Sequence, residues 1–480
     1  MCSPLHLFHL CCLSLIGWIL ASSLPLTAAP VAHPRHPGLF FQAEDLTGLR
    51  NRSRTPYGQA IDARLQALLA QTPEPLQRGS HAAGWAVRFT LGGQPADAAR
   101  ALALCEAVIA DPEPVLDPVT QRSVHPWRAP GSDGLRVPAV VGLAIAYDLC
   151  APSWPEDRRA AIAQALADAA AQLVPTPGRS PVNAEQAMLQ AAGGLAALAV
   201  APDWPANSGL DQLATTARQQ VARFLADCGD RGWPRENLHG LRLALSQSLP
   251  AFLLAWRHTR GEDLATQSAA RYWASLYTML LLPPAQLGAA PGVALFGQPP
   301  HPNATQPAPA WEFSPWYGGD LLAQFGLTDA GSRAAVQWIF DRTFGLAGDR
   351  TFDIAKPGDA LFALLLYPGE ETALPPATTI GHGWRDDRAG VFICRNRWVD
   401  ANDAVAAFTA NARPLRGLAS FADAGSFRLS ALGGHWAVSR QRDVTDLHEV
   451  SRERENVVAI PGTHGWFAGQ VTYAVLQPDG

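Results

Sequence analysis

Three aromatic residues that lie close together in the chain have the types and spacing to bind a sugar. Trp311, Trp316 and Tyr317 stand within the segment AWEFSPWYGGD. Indole and phenol rings combine an apolar face with a polar edge, and such a face can stack on a sugar ring. The same rings can instead pack this segment against the protein core. The cluster therefore predicts either a carbohydrate contact or a buried loop.

A long helical region precedes this cluster and continues past it. From about residue 43 to residue 345, Ala- and Leu-rich amphipathic segments alternate with Pro- and Gly-rich breaks, and no strand-like alternation interrupts them. The pattern predicts an all-α domain of antiparallel helices, compatible with a toroid or a solenoid. The Pro-rich stretch 281–310 predicts a loop over one rim of this domain. The clearest predicted helices are 56–72, 94–110, 137–150, 155–174, 183–201, 210–228, 238–260 and 263–282.

The pattern changes after about residue 378, where short β-branched or aromatic segments are separated by turn residues. They predict an antiparallel β-domain. Because five or six strands make a small sandwich, we expect this domain to be incomplete where the chain stops, at Gly480. The predicted organisation is a signal peptide over residues 1–32, an all-α domain over 33–375 and a β-domain over 376–480. The predicted strands are GVFICR, AVAAFT, SFRLSAL, HWAVSR, ENVVAI and WFAGQVTYAV.

Composition excludes some partners and indicates a compartment. The chain is 48% hydrophobic and 16% charged, with a formal net charge of −5, so no basic field attracts nucleic acid or an anionic membrane surface. The apolar run 5–28 ends in small residues, which predicts a secretory signal cleaved near Ala28 or Ala32 and a periplasmic or secreted protein. Because no Lys or Arg precedes the run, an uncleaved membrane anchor is the alternative. No membrane span is expected in the mature chain.

Cysteine spacing argues against a cysteine-based scaffold. Four cysteines follow the leader, they are far apart, and none forms a CxxC pair. Neither a zinc site nor a disulfide framework is indicated, and we expect single buried thiols, with one adventitious disulfide as the alternative. The four are Cys105, Cys150, Cys228 and Cys394.

Several motifs occur in an order that resembles one known family. They are HPGLFFQAEDL at 36–46 followed by Leu49-Arg50, GWPRENLHG at 232–240, YGGD at 317–320, and GLASFADAGSFRLSALGGHWAVS at 417–439. The chain resembles the heparinase II/III-like polysaccharide lyases, in which the last motif normally reads His-x-His-x-Asp-Ala-Gly-Ser-Phe. The resemblance implies an α + β multidomain protein: an incomplete (α/α) toroid followed by an antiparallel β-sandwich, with a saccharide cleft where the two meet.

The family's reaction is β-elimination at a uronic acid, which requires three roles. One group neutralises the C5 carboxylate, a base removes the neighbouring proton, and an acid protonates the departing oxygen. The resemblance assigns Asn183 to carboxylate neutralisation and His239 to proton transfer, and Tyr317 is the candidate for a noncanonical second proton carrier. Leu238 stands where the family has the tyrosine of a Tyr-His pair. The alternatives are that Asn183 is only a helix N-cap and that His239 is an ordinary helix-end histidine.

The resemblance also bears on metal and substrate binding. Family members with a structural zinc place His, Asp and His where this chain has Phe421, Ser439 and Glu455, and one carboxylate without histidine partners does not make a zinc site. We therefore expect no metal and no cofactor.

The predicted substrate-binding residues are Trp311, Trp316 and four arginines near the family's cleft segments. Paired Arg donors suit carboxylates and sulfates, and the alternative is that these arginines are ordinary solvated surface residues. They are Arg235, Arg242, Arg413 and Arg416.

Three functions remain open from the sequence. The first is a lyase for an acidic, uronate-containing polysaccharide. The second is a catalytically impaired relative that binds glycan or scaffolds exopolysaccharide assembly, which the simultaneous substitutions at 238, 419, 421 and 439 favour. The third is a glycoside hydrolase on an α/α barrel, which would need two carboxylates about 5–9.5 Å apart, with Glu236 and Asp320 as the pair. The expected partner is an acidic polysaccharide.

Overall fold

The protein is an α + β structure in which a helical part precedes a five-stranded antiparallel sheet. The computed structural model describes residues 36–117, 121–128, 133–174, 183–204, 208–235, 241, 244–245, 247–281, 325–343, 354, 356–369, 372–398, 402–410, 425–432 and 434–437.

Helices make up most of the described chain, with short 3₁₀ turns between some of them. The first group is α1 (Leu46–Ser53), α2 (Pro56–Leu69), α3 (Arg78–Gly92), α4 (Pro95–Ala110), α5 (Asp133–Cys150), α6 (Glu156–Leu173) and α7 (Ala184–Val200). The second group is α8 (Leu210–Asp227), α9 (Leu249–Arg260), α10 (Trp273–Leu280), α11 (Ala330–Thr343), α12 (Asp359–Leu366) and α13 (Pro376–Thr379).

The central helices pack in two layers because they differ in how much of their surface is apolar. Helices α3, α5, α7 and α9 contact one another in that order, while α4, α6 and α8 cover them from one side. Every residue from Ala139 to Cys150 in α5 and from Gln190 to Val200 in α7 is buried, as expected of helices that are apolar all round. Helix α6 instead buries a stripe that includes Ile162 and Leu166. The inner layer therefore forms the core of the helical part.

Glycine permits the closest helix contact in this core. A Cβ atom on Gly142 of α5 would lie 2.2 Å from the backbone oxygen of Gly79 in α3, and a Cβ on Gly79 would lie 2.6 Å from the Cα of Ala139. Such distances are shorter than any real Cβ contact, so a larger residue would force α3 and α5 apart.

A helix near the C-terminal end of the helical part packs against its first helices. Helix α12 packs against α1, α2 and α3. The hydroxyl of Tyr57 donates to the carbonyl oxygen of Ala363 at 3.2 Å, and its ring stacks on Tyr367 with centroids 3.9 Å apart. Arg52 donates to the carbonyl oxygens of Leu364 and Leu365 at 2.8 and 2.7 Å. These contacts join α12 to the helices at the start of the described chain.

A buried ionic cluster anchors the first described residue. His36 Nδ1 lies 3.0 Å from Asp148 Oδ1, and His36 Nε2 lies 3.1 Å from Asp203 Oδ2. The Tyr147 hydroxyl also donates to Asp203, and the Gly38 N–H donates to Asp148 at 2.9 Å. Burial lowers the pKa of His36, but the hydrogen bonds and charges of the two aspartates outweigh it and raise that pKa to about 9. His36 is therefore an imidazolium at neutral pH, with both ring N–H groups donating.

The strands form one hairpin and one five-stranded sheet. The hairpin pairs β1 (Val115–Leu116) with β2 (Ser123–Val124), and the sheet contains β3 (Gly383–Asp386), β4 (Val391–Arg395), β5 (Ala404–Thr409), β6 (Ser426–Ala431) and β7 (Gly434–Ala437). Neighbours in the sheet follow the chain order, and all neighbouring strands are antiparallel.

Side chains of the sheet alternate between its two faces. Val391, Ile393 and Val405 are buried, whereas Phe392 and Phe408, which pair across β4 and β5, face outward with Phe408 42% exposed.

Most of the predicted helices and strands that fall on described residues are confirmed, with differences at their ends. The helices expected over 56–72, 94–110, 137–150, 155–174, 183–201 and 210–228 are α2 and α4 to α8, and four predicted strands are β4 to β7. The strands expected in ENVVAI and WFAGQVTYAV, the Pro-rich loop after residue 281 and the signal peptide lie outside the described residues.

Some expectations for the helical region were wrong. Within the helix expected over 238–260, the described residues 241, 244 and 245 are helical, but a turn at 247–248 follows them, and α9 begins at Leu249 with Pro250 in its first turn. The helix expected over 263–282 begins only at Trp273, because Asp263 accepts the Thr266 N–H at 3.0 Å in a turn and a 3₁₀ segment follows. The small β1–β2 hairpin interrupts a region where no strand was expected. Helices α1, α3 and α11 lie within the predicted helical region but were not among the helices named there, and α12, α13 and β3 were not predicted.

Two further expectations concern cysteines and membrane spans. Cys105, Cys150 and Cys228 are buried free thiols, as expected, whereas Cys394 is a free thiol that is exposed.

One stretch among the described residues, 133–153, is long and apolar enough to cross a membrane, but 78% of its most apolar part is buried inside the protein. That burial is typical of a core helix.

Candidate functional site at the helix–sheet junction

The sheet is joined to the helical part by one buried carboxylate. Asp386, at the end of β3, accepts the backbone N–H groups of Asp230, Arg231 and Trp233 at 3.2, 3.0 and 3.0 Å, and that of Ala389 in its own hairpin at 2.8 Å. Burial and the neighbouring Asp230 raise the pKa of Asp386 to about 6, and the N–H donors oppose that rise. Asp386 thus fixes the turn that follows α8 to the first hairpin of the sheet.

Two glycines let this turn pack closely, one against the Asp386 carboxylate and one against the 3₁₀ segment before α10. A Cβ on Gly229 would lie 1.9 Å from Asp386 Oδ2. Gly232 has φ +88°, a left-handed conformation that favours glycine, and its Cβ would lie 2.6 Å from the carbonyl oxygen of Ala269. Within the segment Gly-Asp-Arg-Gly-Trp at 229–233, positions 229 and 232 therefore require glycine.

An arginine in the β3–β4 hairpin, Arg388, also binds the end of α8. Arg388 Nη1 donates to the carbonyl oxygens of Ala226 and Cys228, both at 2.9 Å, at the end of α8. Carbonyl groups at a helix C-terminus lack intrahelical partners and attract cations. The β3–β4 hairpin thus binds both the end of α8 and the turn that follows it.

A buried arginine makes the second connection between sheet and helices. Arg395 of β4 donates through Nη1 to the carbonyl oxygens of Thr278, Met279 and Leu281 at 3.2, 3.4 and 2.6 Å, at the C-terminal end of α10. Its Nε lies 2.7 Å from Asp403 Oδ2, and both side chains are fully buried. Burial lowers the pKa of Arg395 to about 10, and the ion pair with Asp403 opposes that shift.

A polar cavity of about 580 Å³ opens beside the Asp386 contact. Its walls include Arg231 from the turn after α8, Arg271 and Tyr272 from the 3₁₀ segment before α10, and Arg385 from β3. The volume falls within the range of about 300–1,000 Å³ that is usual for small-molecule sites. The cavity therefore lies where helical and sheet elements meet.

Positive charge dominates the walls of this cavity. The guanidinium carbons of Arg231 and Arg271 lie 4.6 and 4.7 Å from the centroid of the Tyr272 ring. Within the described residues neither guanidinium has a carboxylate within 4.0 Å. Asp329 is the one carboxylate among the described residues that line the cavity, and the third arginine, Arg385, is paired with Asp387 at 3.4 Å.

Asn183 is the one predicted catalytic residue that the structure describes, and it is the N-cap of α7. Its Oδ1 accepts the Gln186 N–H at 2.7 Å, and the Gln186 side chain accepts the Asn183 N–H at 3.2 Å. This reciprocal capping box satisfies helix-end donors. The cap uses the side-chain oxygen, so the amide nitrogen remains able to donate elsewhere.

Arg235 is the one predicted substrate-binding residue that the structure describes. Its Nη1 lies 2.6 Å from Asp227 Oδ2, in a pair whose side chains are 29% and 28% exposed. The other predicted residues lie outside the described part of the chain: His239, Tyr317, Arg242, Trp311, Trp316, Arg413 and Arg416, together with Glu236, Leu238, Asp320, Ala419, Phe421, Ser439 and Glu455.

Sequence reasoning missed the three arginines of the cavity. The chain holds a single lysine, Lys356, so arginine serves almost everywhere as the basic residue, and no spacing distinguishes Arg231, Arg271 and Arg385. Their one available signal was the position of Arg231, which immediately precedes the GWPRENLHG motif.

No three His, Cys, Asp or Glu side chains within the described residues are grouped so that they could hold a metal ion. No protein-family model matches this chain, and no curated protein gives a significant match.

Proposed function

We propose that this is a polysaccharide lyase-like protein that acts on or binds an acidic, uronate-containing polysaccharide at the junction of its helices and its sheet, by β-elimination if active. The observation that carries the proposal is the Asp386 contact. It holds the turn 229–233 against β3, and that turn leads directly to His239, the predicted proton-transfer residue. The segment of predicted chemistry thus begins where helices and sheet meet.

The arrangement of helices supports the finer architecture in this proposal. Two layers of helices, with α12 returning to α1, α2 and α3, fit an incomplete (α/α) toroid, and the antiparallel sheet fits one layer of a β-sandwich. In this proposal residues 33–375 form the toroid domain and residues 376–480 the sandwich domain. The protein is periplasmic or secreted, and the zinc site of the resembled family is lost at Phe421, Ser439 and Glu455.

Asn183 can combine its structural role with the proposed chemistry. Its Oδ1 is engaged by the Gln186 N–H, while its amide N–H₂ group can donate to a substrate carboxylate and disperse the charge that opposes proton removal. His239 would then act in proton transfer, with Tyr317 as the second carrier in place of the tyrosine replaced by Leu238.

The test is ultraviolet absorbance from the unsaturated product of β-elimination. Purified protein is incubated with alginate, heparan sulfate, chondroitin, hyaluronan and bacterial exopolysaccharides, with His239→Ala alongside. Rising absorbance that the variant loses establishes a lyase. Saturable binding to one glycan with no absorbance change establishes the catalytically impaired alternative. If no acidic glycan is bound or cleaved, the proposed function is wrong.

A further inference from the structure

We propose that the cavity lined by Arg231, Arg271 and Arg385 is an oxyanion-binding subsite that takes a carboxylate or sulfate group carried by a sugar. That the anion is carried by a sugar rests on the proposed function. That the cavity binds an anion is argued from the residues of the cavity alone. This inference assigns charge recognition to residues other than the predicted set of Arg235, Arg242, Arg413 and Arg416.

The first argument is electrostatic. The guanidinium carbons of Arg231 and Arg271 lie 4.6 and 4.7 Å from the centroid of the Tyr272 ring, so two positive charges contact one aromatic side chain at the cavity wall. Neither guanidinium has a carboxylate within 4.0 Å in the described part of the chain. An oxyanion in the cavity would give these arginines an acceptor for charge-assisted hydrogen bonds, which are among the stronger kinds in proteins.

The second argument is that the cavity is built before any ligand arrives. Arg231 belongs to the turn that Asp386 holds through backbone N–H groups, and Arg385 is the residue immediately before Asp386 in β3. Arg271 is held by cation–π contact with Tyr272 and by a 3.4 Å hydrogen bond to the Thr266 carbonyl oxygen. Because the arginines are ordered by other contacts, binding costs less conformational entropy.

The third argument concerns the polar atoms in the cavity walls. Trp384 is 6% exposed, and its indole Nε1 is buried with no hydrogen-bond partner among the described residues. The same is true of the hydroxyl of Thr379, and both residues line the cavity. Buried polar groups normally have partners, and a sugar unit that carries the anion would bring hydroxyl groups to this wall.

The experiment measures binding of small probes to the full chain by calorimetry at low salt. The probes are inorganic sulfate, glucuronate, a monosaccharide sulfate and uncharged glucose. We expect saturable binding of the charged probes and none of glucose. The sugar acids should bind more tightly than inorganic sulfate if the wall atoms contact the sugar, and equal affinity would limit the site to a free anion.

Matched variants locate the binding. Arg231→Gln combined with Arg271→Gln should weaken binding of glucuronate about 10-fold or more, since a hydrogen bond to a charged group contributes about 1.5–3 kcal/mol. The control is Arg100→Gln, because Arg100 is another exposed arginine stacked on an aromatic ring, 4.4 Å from the Trp85 centroid. If the double variant fails to fold, Arg271→Gln alone serves, since its side chain lies at the surface.

Three results overturn the inference. They are no saturable binding of any charged probe, equal affinity in the double variant and in Arg100→Gln, and glucose binding as tight as glucuronate binding. The last two would leave the proposed function untouched if an acidic polysaccharide still binds. The opposite outcome is also distinguishable. If the double variant loses probe binding, the anion site is supported, and if the protein neither binds nor cleaves any acidic polysaccharide, the proposed function is contradicted.

Discussion

The carboxylate of Asp386 accepts the backbone N–H of Arg231 at 3.0 Å. This bond joins the first hairpin of the sheet to the turn that follows α8, and it places Arg231 and Arg385 on the walls of one cavity. The position of the cavity is thus a consequence of how the two parts of the chain are held together.

Replacing Asp386 should weaken this junction. Asp386→Ala leaves the N–H groups of Asp230, Arg231 and Trp233 without their acceptor, and each buried donor left unpaired costs about 1–3 kcal/mol. Because water reaches the partly exposed turn, we expect a total loss of about 2–4 kcal/mol in the free energy of unfolding. Urea denaturation measures it.

The neighbouring Asp387 is a matched control for Asp386. It is 49% exposed and lies 3.4 Å from Arg385, so Asp387→Ala should cost less than about 1 kcal/mol. Equal losses from the two alanine variants would show that the Asp386 bonds do not hold the junction.

Arg395 should be the most sensitive ionic residue of the sheet. Arg395→Met leaves Asp403 as a buried unpaired charge and frees the carbonyl oxygens at the end of α10, which predicts a loss of about 3–5 kcal/mol. Arg260→Met removes an ion pair with Asp211 whose side chains are 39% and 58% exposed, and it should cost about 0–1 kcal/mol. Thermal unfolding of both variants compares them, and similar shifts in Tm would contradict the prediction.

The His36 cluster should make stability depend on pH in the alkaline range. The pKa of His36 is raised from 6.5 to about 9 in the folded protein, so the folded state holds this proton more tightly than the unfolded state. The stability that it contributes is fully present below pH 6.5 and is lost as pH rises through 9. Such a shift corresponds to about 3–4 kcal/mol.

The contribution of His36 can be measured as the difference in free energy of unfolding between wild type and His36→Gln. Measured by urea unfolding, the difference should be largest below pH 6.5 and shrink towards pH 9. His125→Gln is the control, because His125 lies 3.8 Å from Asp111 but its side chain is 45% exposed. A pH-independent difference for His36→Gln would rule out the protonated cluster.

Asn183 allows capping and chemistry to be separated. Asn183→Ala removes the cap of α7 and should cost about 1 kcal/mol of stability. Asn183→Ser retains a capping oxygen but loses the amide N–H₂, so stability should stay within about 0.5 kcal/mol of wild type. If the amide contacts a substrate carboxylate, Asn183→Ser should still reduce cleavage or binding of the acidic glycan. Unchanged glycan affinity and turnover would leave Asn183 with the cap alone.

Local sequence pattern was enough to predict many elements. The positions of α2, α4, α5, α6, α7 and α8 follow from apolar periodicity and Pro or Gly breaks, because hydrogen bonds and side-chain spacing within a helix are local. Helix α3 was missed because its segment RGSHAAGWAVRFTLG mixes three glycines with buried polar residues. Its glycines serve contacts with other elements, such as that of Gly79 with Ala139, and these contacts are invisible in a linear pattern.

The candidate site depended on the tertiary structure. By itself the sequence determined the helical region, four of the strands and the capping role open to Asn183. The tertiary structure alone decided that Arg231, Arg271 and Arg385 line one cavity and that Asp386 holds its walls. The physical reason is distance along the chain: helices and hairpins are specified by neighbouring residues, whereas the cavity depends on packing between segments that the sequence separates widely.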